Sequence, residues 1–333
     1  MKKYHVYGIG AALVDTEIQV SDQDLVVMAV EKGLMTLVDE TRQDQLTAHL
    51  EGHAVHAKQA SGGSVCNSIF AASCFGASAF FSGKVGNDDN GRFFLSDLNA
   101  AGVDCVSQDH GDSGTTGKCL ILITPDAERS MNTNLAISES LSVQQVDKQA
   151  IADSQYLYIE GYLVTSESGR AAAVVARQSA ESQGVKTAIS LSDPGMVQFF
   201  RDGLEEMIGN GVDLLFCNED EAKGWADTDD LDTAVAAIKK IAKTFAITLG
   251  AKGSVVFDGE QLFSIAAHSV AAIDSNGAGD MYAGAFLYAI SAGHSYQEAG
   301  TLAGLASATV VTQYGPRLTP QQHAPLLQAA LVS

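Results

Sequence analysis

Residues 274–286, DSNGAGDMYAGAF, place two glycines and an aspartate directly before an apolar pattern that predicts a helix. Glycine destabilises a helix interior by about 1 kcal/mol relative to alanine, so helix formation does not explain this choice. A helix N terminus presents unpaired backbone N–H groups and a partial positive charge, and glycines let an anion approach the backbone closely. Gly277, Ala278 and Gly279 therefore predict a cradle for a phosphate.

Asp280 follows that cradle in the first turn of the predicted helix. A carboxylate at this place can accept the proton of an attacking hydroxyl, so the arrangement is typical of phosphoryl transfer to an alcohol. A simpler alternative stays open at this point. Asp280 can be a first-turn acid that stabilises the helix, with the glycines serving a tight turn.

The composition excludes several classes of protein. Of 333 residues, 20 are Lys or Arg and 40 are Asp or Glu, which gives a formal net charge of −20 and argues against nucleic-acid or anionic-membrane partners. The five cysteines are odd in number and form no CxxC pair, so we expect reduced thiols and a cytoplasmic location. No uninterrupted apolar stretch has the length, about 18 residues, of a membrane span.

From about residue 150 onward, apolar, β-rich runs such as YLYIEGYLV (156–164) and VDLLFCN (212–218) alternate with helical patterns such as LDTAVAAIKKIAK (231–243), which predicts βαβ units. The fold class we expect is α/β, a mostly parallel sheet covered by helices on both faces. Two segments, about 13–40 and 104–135, read as short strands with turns and predict a small sheet apart from the main body. With no clear linker, residues 1–333 are interpreted as one domain with this small sheet as a lid.

Residues 61–94, which begin SGGSVCN, and the motif at 274–286 together resemble the two signature regions of the PfkB, or ribokinase-like, family of carbohydrate and nucleoside kinases. The resemblance extends over nearly the whole chain, and its adenosine kinase-like branch is the most similar. It implies a three-layer α/β/α body with a small β-sheet lid over the sugar site. It also implies ATP-dependent phosphorylation of a primary hydroxyl on a small-molecule nucleoside or sugar. The sequence leaves open whether the protein is a monomer or a homodimer.

The resemblance gives the acceptor side of the site its residues. Asp280 matches the catalytic base, and the backbone of residues 277–279 matches the anion hole. Asp15 matches the acid that holds ribose hydroxyls, since a carboxylate can accept from two vicinal hydroxyls. The remaining sugar-binding positions are Gly62, Gly63 and Asn67.

The nucleotide side is assigned in the same way. Arg129 stands where a lid arginine reaches the transferring phosphate, a role that suits a planar guanidinium. Glu221 is implied to organise Mg²⁺, largely through water, and Asp274 lies where some relatives hold a monovalent cation such as K⁺. The nucleotide-binding positions implied by the resemblance are Asn218, Glu221, Thr248, Gly250 and Gly253.

Three functions stay open from the sequence. Adenosine is the first candidate for the acceptor. A carbohydrate kinase of ribokinase or fructokinase type would share every catalytic residue, and Asn276 is tolerated in such sugar kinases. A catalytically silent nucleoside-binding protein is the third, although an intact Asp280 argues against it.

Overall fold

The computed structural model describes residues 2–53, 55–106 and 114–331. Its strands are β1 Tyr4–Ile9, β2 Leu13–Gln19, β3 Met35–Leu37, β4 Val55–Gly62, β5 Ala79–Ser82, β6 Val103–Cys105, β7 Gly117–Ile123, β8 Arg129–Asn134, β9 Ser154–Ile159, β10 Lys186–Ser190, β11 Val212–Asn218, β12 Ala242–Thr248, β13 Ser254–Phe257 and β14 Leu262–Ile265. In the described residues they form a main sheet in the order β14-β13-β12-β11-β10-β9-β1-β5-β6 and a second sheet in the order β3-β8-β7-β2-β4.

Helices cover both faces of the main sheet. The helices of the described residues are α1 Asp22–Val27, α2 Glu40–His49, α3 Ser64–Phe75, α4 Asp89–Ala100, α5 Lys148–Ala152, α6 Glu167–Ser182, α7 Pro194–Phe199, α8 Arg201–Ile208, α9 Glu219–Ala226, α10 Leu231–Ile238, α11 Ala278–Ser291, α12 Tyr296–Val310 and α13 Pro320–Leu331. None of these helices combines the length and the apolar character needed to cross a bilayer. Helices α1 and α2 pack against the second sheet instead of the main sheet.

The core lies in two layers, one on each face of the main sheet, because successive side chains of a strand point to opposite faces. In β9, Tyr156 and Tyr158 pack with α3, α11 and α12, whereas Leu157 and Ile159 pack with α6 and α8. Strands β1, β5, β6 and β9 to β12 run parallel, and β13 and β14 add an antiparallel edge. The predicted α/β class with helices on both faces is confirmed.

The second sheet takes strands from both segments that the sequence set apart. Segment 13–40 supplies β2 and β3, and segment 104–135 supplies β7 and β8, whereas residues 107–113 lie outside the described residues. Strand β4 also belongs to this sheet, as the antiparallel neighbour of β2, although it lies outside both segments. The polar run HAKQASGG does not have the composition of a strand. It forms β4 because it pairs with β2, which is a tertiary contact that the local sequence does not predict.

Two predicted elements are shorter in the structure. The strand expected at 156–164 ends at Ile159, because Glu160 turns inward and the chain continues as a 3₁₀ turn, Gly161–Thr165. The helix expected at 231–243 ends at Ile238, because Ala242 already starts β12 beside Val212 of β11.

Helix α11, which carries Asp280, lies against α3, and Gly284 permits their close approach. A Cβ on Gly284 would lie 2.3 Å from the Ser68 carbonyl oxygen and 2.8 Å from Ala71 Cβ. We expect Gly284→Ala to lower the free energy of unfolding by about 2 kcal/mol, measured by urea denaturation, because overpacking must push the helices apart. Gly304→Ala in α12, whose Cβ would lie 3.8 Å from Ile265, is the control and should be neutral or stabilising. Equal stabilities for the two variants would contradict this account.

Candidate functional site

A cavity of about 510 Å³ opens between the two sheets, at the carboxyl ends of the central parallel strands. Its floor contains residues that follow β9, β10, β11 and β12 together with the N terminus of α11. Its roof comes from β2, β7 and β8 of the second sheet. Ligands of open parallel sheets bind at this edge, so the cavity is the candidate site.

The predicted anion cradle lies on the cavity floor. Gly277 has φ +74 and precedes the first residue of α11; a Cβ there would lie 2.3 Å from the carbonyl oxygen of Pro316, so a side chain is excluded on both grounds. A Cβ on Gly279 would meet no atom within 4 Å. The Ala278 N–H donates to Ser275 O over 3.3 Å. The backbone N–H groups in the first turn of a helix have no acceptor within the helix, so they can bind an anion at this end of α11.

Asp280 is half-buried in the cavity and accepts a hydrogen bond on each carboxylate oxygen. The Ser64 hydroxyl donates to Oδ1 over 2.6 Å, and Asn67 Nδ2 donates to Oδ2 over 2.9 Å. Burial raises the pKa of Asp280 above its usual value, and the two hydrogen bonds and the charges of Arg129 and Arg317 oppose that rise. A carboxylate with a raised pKa is a better proton acceptor at neutral pH.

Asp15 projects from β2 into the same cavity, and the glycine pair at the end of β4 makes room for it. A Cβ on Gly62 would lie 2.1 Å from the Asp15 carboxyl carbon, and Gly63, with φ +102, caps α3. Burial and the charge of Asp280 raise the pKa of Asp15 to about 7, against the effect of Arg317. Asp15, Gly63 and Asn67 line the cavity, whereas Gly62 lies behind Asp15.

The residues predicted for the nucleotide divide into two groups. Arg129, Thr248 and Gly250 line the cavity. Gly253 does not; its φ of +98 and a would-be Cβ 2.0 Å from Ile265 O identify it as a requirement of the turn into β13. The hydrogen bonds within the described ranges leave the Arg129 guanidinium without a partner, although its charge acts on Asp193, Glu221 and Asp280.

Asn218 and Glu221 both line the cavity and bond to each other as the capping box of α9. Asn218 Nδ2 donates to Glu221 Oε1 over 2.7 Å, and the Asn218 N–H donates to Oε2 over 3.1 Å. Burial raises the pKa of Glu221 to about 8, and the nearby charge of Asp193 adds to the rise. In the ranges the structure describes, no three acidic, histidine or cysteine side chains form a direct metal site.

Asp274 lies behind the anion cradle, outside the cavity lining. Its carboxylate accepts the N–H groups of Asn276, over 2.8 Å, and Gly315, over 3.0 Å, and so joins the cradle to the loop before α13. Glu17 is buried close by: its Oε1 accepts from Asn276 Nδ2 over 2.8 Å, whereas its Oε2 has no partner among the described residues. Burial and the charge of Asp274 raise the pKa of Glu17 to about 8.

Two further residues at the site were not predicted from the sequence. Glu160 is buried and accepts the N–H groups of Ala11, over 3.1 Å, and Val65, over 2.9 Å, so it clamps the segments that carry Asp15 and Asn67. A lone acid inside the apolar run YLYIEGYLV was a usable signal. Arg317 contacts Asn67 from the loop before α13, and no motif marks it.

Comparison with known proteins gives results that agree with this geometry. The sequence pattern of the pfkB family carbohydrate kinases matches residues 28–323. An adenosine kinase of Schizophyllum commune is 26% identical over 352 aligned residues, which cover 95% of this chain and 97% of that protein.

Two solved structures are similar over nearly their full length. An adenosine kinase from Sinorhizobium meliloti is 33% identical with a TM-score of 0.92, and the match covers 98% of this chain and all of that one. A probable sugar kinase from Rhizobium etli CFN 42 is 30% identical with a TM-score of 0.93, covering 99% of this chain and all of that one.

Proposed function

The chain belongs to the pfkB family of carbohydrate kinases, and from this premise we propose that it transfers the γ-phosphoryl group of ATP to the primary hydroxyl of a nucleoside, with adenosine as the first candidate. The family and the adenosine kinase relatives make it a phosphotransferase that acts on a sugar or nucleoside hydroxyl. The choice of a nucleoside is the finer step, and it needs its own argument.

The observation that supports a nucleoside is a group of apolar residues in the roof of the cavity. The cavity lining also contains Asp15, Asp280 and the anion cradle. The apolar group, called the apolar wall, consists of Leu13, Cys119, Ile121, Met131 and Leu135, which come from the second sheet and the residue after β8. A free sugar would leave hydroxyls unpaired against this wall, whereas a planar base buries apolar surface there.

The proposed mechanism assigns one task to each group. Asp15 binds the ribose hydroxyls and directs the primary hydroxyl to Asp280, which accepts its proton. The N–H groups at residues 277–279 and the guanidinium of Arg129 stabilise the charge on the phosphoryl oxygens during transfer. Closure of the cavity by the second sheet excludes water, which would otherwise hydrolyse ATP.

The residues present fit a magnesium ion held through water. Glu221 is buried at the cavity edge with a raised pKa, so a nearby cation would stabilise its charged form, and its bonds to Asn218 restrict it to contact through water. Bound Mg²⁺ supplies neutralisation of the phosphate charge. Asn218 and Glu221 would orient its waters.

A monovalent cation also fits, behind the anion cradle. The buried Glu17 Oε2 lacks a hydrogen-bond partner within the described residues, and it lies close enough to Asp274 for that charge to raise its pKa. A bound K⁺ would supply positive charge there, and Asp274 with Glu17 would hold it.

The experiment for this proposal measures ADP release with ATP, Mg²⁺ and K⁺ across adenosine, inosine, guanosine, ribose, fructose and 2-keto-3-deoxygluconate. We expect turnover with adenosine and no measurable turnover with ribose, because only the nucleoside has a base that can pack against the apolar wall. Turnover with a free sugar alone would assign the chain to a carbohydrate substrate. Binding of adenosine in a thermal-shift assay without any ADP would identify a silent nucleoside-binding protein.

A further inference from the structure

We propose that Arg317 is a positioning residue that fixes the side-chain amide of Asn67 and, through it, the carboxylate of Asp280. This inference rests on the proposed function in one respect, the role of Asp280 as the proton acceptor. Arg317 lies in the loop between α12 and α13, far along the chain from the other residues involved.

The guanidinium of Arg317 is held on all sides. Its side chain is 9% exposed and stacks over the Phe70 ring, 4.2 Å from the centroid. Nη1 donates to Ser61 Oγ over 2.7 Å and to Asp97 Oδ2 over 2.9 Å, and Nη2 lies 3.2 Å from Cys66 Sγ. A planar group with this many partners has one orientation, which makes it a rigid support.

The Nε–H of that guanidinium decides how the side-chain amide of Asn67 is oriented. Arg317 Nε donates to Asn67 Oδ1 over 2.8 Å, so the amide oxygen must face the arginine and Nδ2 must face Asp280. A flipped amide would place its NH₂ against the Nε–H and its oxygen against a carboxylate. Arg317 therefore ensures that Asp280 Oδ2 receives a donor, just as Ser64 supplies one to Oδ1.

The same contacts restrict what Asn67 can do for a substrate. Its Oδ1 already accepts from Arg317, so one lone pair is left to accept from a hydroxyl in the cavity. One hydrogen of Nδ2 is directed to Asp280, which leaves the other as the donor that can face the sugar. Arg317 thus leaves Asn67 with one N–H donor and one acceptor lone pair for the cavity.

Arg317 also acts on the charge of Asp280. The groups that face this carboxylate are Ser64 and Asn67 of α3, Asp15 of β2, Glu160 after β9, Tyr158 and Tyr162, and the cations Arg129 of β8 and Arg317. Burial raises the pKa of Asp280, and the two arginines lower it. Arg129 belongs to the second sheet and Arg317 to the main body, and the charges of both favour the ionised form of Asp280.

The sign of the expected pH effect follows from this. A cation near a carboxylate favours its charged form, so removal of Arg317 raises the pKa of Asp280. The base is then protonated at a higher pH, and the acid limb of kcat/KM moves to higher pH. At a pH above the acid limb, Asp280 is ionised in the variant as well, so the decrease in kcat/KM caused by the lost charge becomes smaller. The decrease caused by the misoriented Asn67 amide remains at every pH.

Three variants separate this role from a structural one. Arg317→Met removes both the charge and the hydrogen bonds, whereas Arg317→Lys keeps a charge but cannot make the Nε and Nη bonds together. Arg177→Met is the matched control, since Arg177 is also 9% exposed, pairs with Glu181 over 2.7 Å and lies on α6 away from the cavity. Melting temperatures of all three report the loss of stability.

The measurements are kcat and KM from pH 5 to 9, and the pKa of Asp280 from ¹³C carboxyl NMR, assigned with Asp280→Asn. We expect Arg317→Met to lower kcat/KM at pH 7 about tenfold, through kcat, with the acid limb and the NMR pKa shifted upward together. Arg317→Lys should keep the acid limb and still lose kcat. Arg177→Met should leave kcat and the pH profile unchanged, whatever its melting temperature.

The NMR titration uses no acceptor, so it tests Arg317 separately from the proposed function. If the wild type phosphorylates none of the acceptors, the proposed function fails, and the titration still decides whether Arg317 controls Asp280. A wild-type pKa in Arg317→Met overturns the inference, as does an equal shift in Arg177→Met. Should Arg317→Met fail to fold, loss of kcat at a wild-type melting temperature in Arg317→Lys supports the inference, and wild-type kcat overturns it.

Discussion

Asp280→Asn is expected to lower kcat about a thousandfold while the protein keeps its fold and its affinity for the acceptor. Asparagine cannot accept the proton of the attacking hydroxyl. It can keep both local contacts, because its Oδ1 can accept from Asn67 and its Nδ2 can donate to the Ser64 oxygen. The measurement is ADP release at saturating ATP with the best acceptor found, together with acceptor binding by calorimetry.

A matched control tests the alternative that Asp280 is only a first-turn acid. Asp232 occupies the first turn of α10, is exposed and lies outside the cavity lining. Asp232→Asn removes the same charge from a helix N terminus and should cost less than about 1 kcal/mol of stability, with no loss of kcat. If Asp280→Asn keeps more than a tenth of the wild-type kcat, Asp280 is not the base.

The net charge of −20 is unfavourable for binding a polyanion such as ATP, so the site must supply its own positive potential. Two features of the cavity do so. The N terminus of α11 contributes backbone N–H groups, and Arg129 contributes a full charge whose hydrogen-bonding capacity is not used within the described residues. Buried acids surround these groups, and their raised pKa values reduce the negative charge that faces the phosphates.

The parts of this site that the sequence predicted are those that depend on local backbone. Gly277 and Gly279 flank Ala278 at a helix start, and the properties of such a turn follow from residue types alone. Arg317 and Glu160 act through contacts that only the tertiary fold creates: Arg317 is 250 residues from Asn67, and Glu160 is 95 residues from Val65. The same holds for the fold. Strands β9 and β11 are predictable from their apolar runs, whereas β4 is not.

The second large effect is expected for a substitution of Gly62. This residue has only a hydrogen where the methyl group of an alanine would displace the Asp15 side chain. Gly62→Ala is expected to raise the KM for the acceptor at least about tenfold, since a Cβ would lie 2.1 Å from the Asp15 carboxyl carbon and that group must move. Gly62 pairs with Leu13 across β4 and β2, and its φ is not in the left-handed region. The effect is therefore steric rather than a strain of the backbone.

The comparison variant is Asp15→Asn, which removes the charge of Asp15 without displacing the side chain. If Asp15 holds the ribose hydroxyls, both variants should raise the acceptor KM and leave the KM for ATP unchanged. The proposed nucleotide-binding residues Thr248 and Gly250 end and follow β12, which β11, β10 and β9 separate from β1 in the main sheet, whereas Asp15 lies on β2, which follows β1. Gly304→Ala should leave both constants unchanged. A wild-type acceptor KM in Gly62→Ala, beside a raised one in Asp15→Asn, would mean that Asp15 binds the acceptor equally well from a second position. A wild-type acceptor KM in both variants would show that Asp15 does not bind the acceptor.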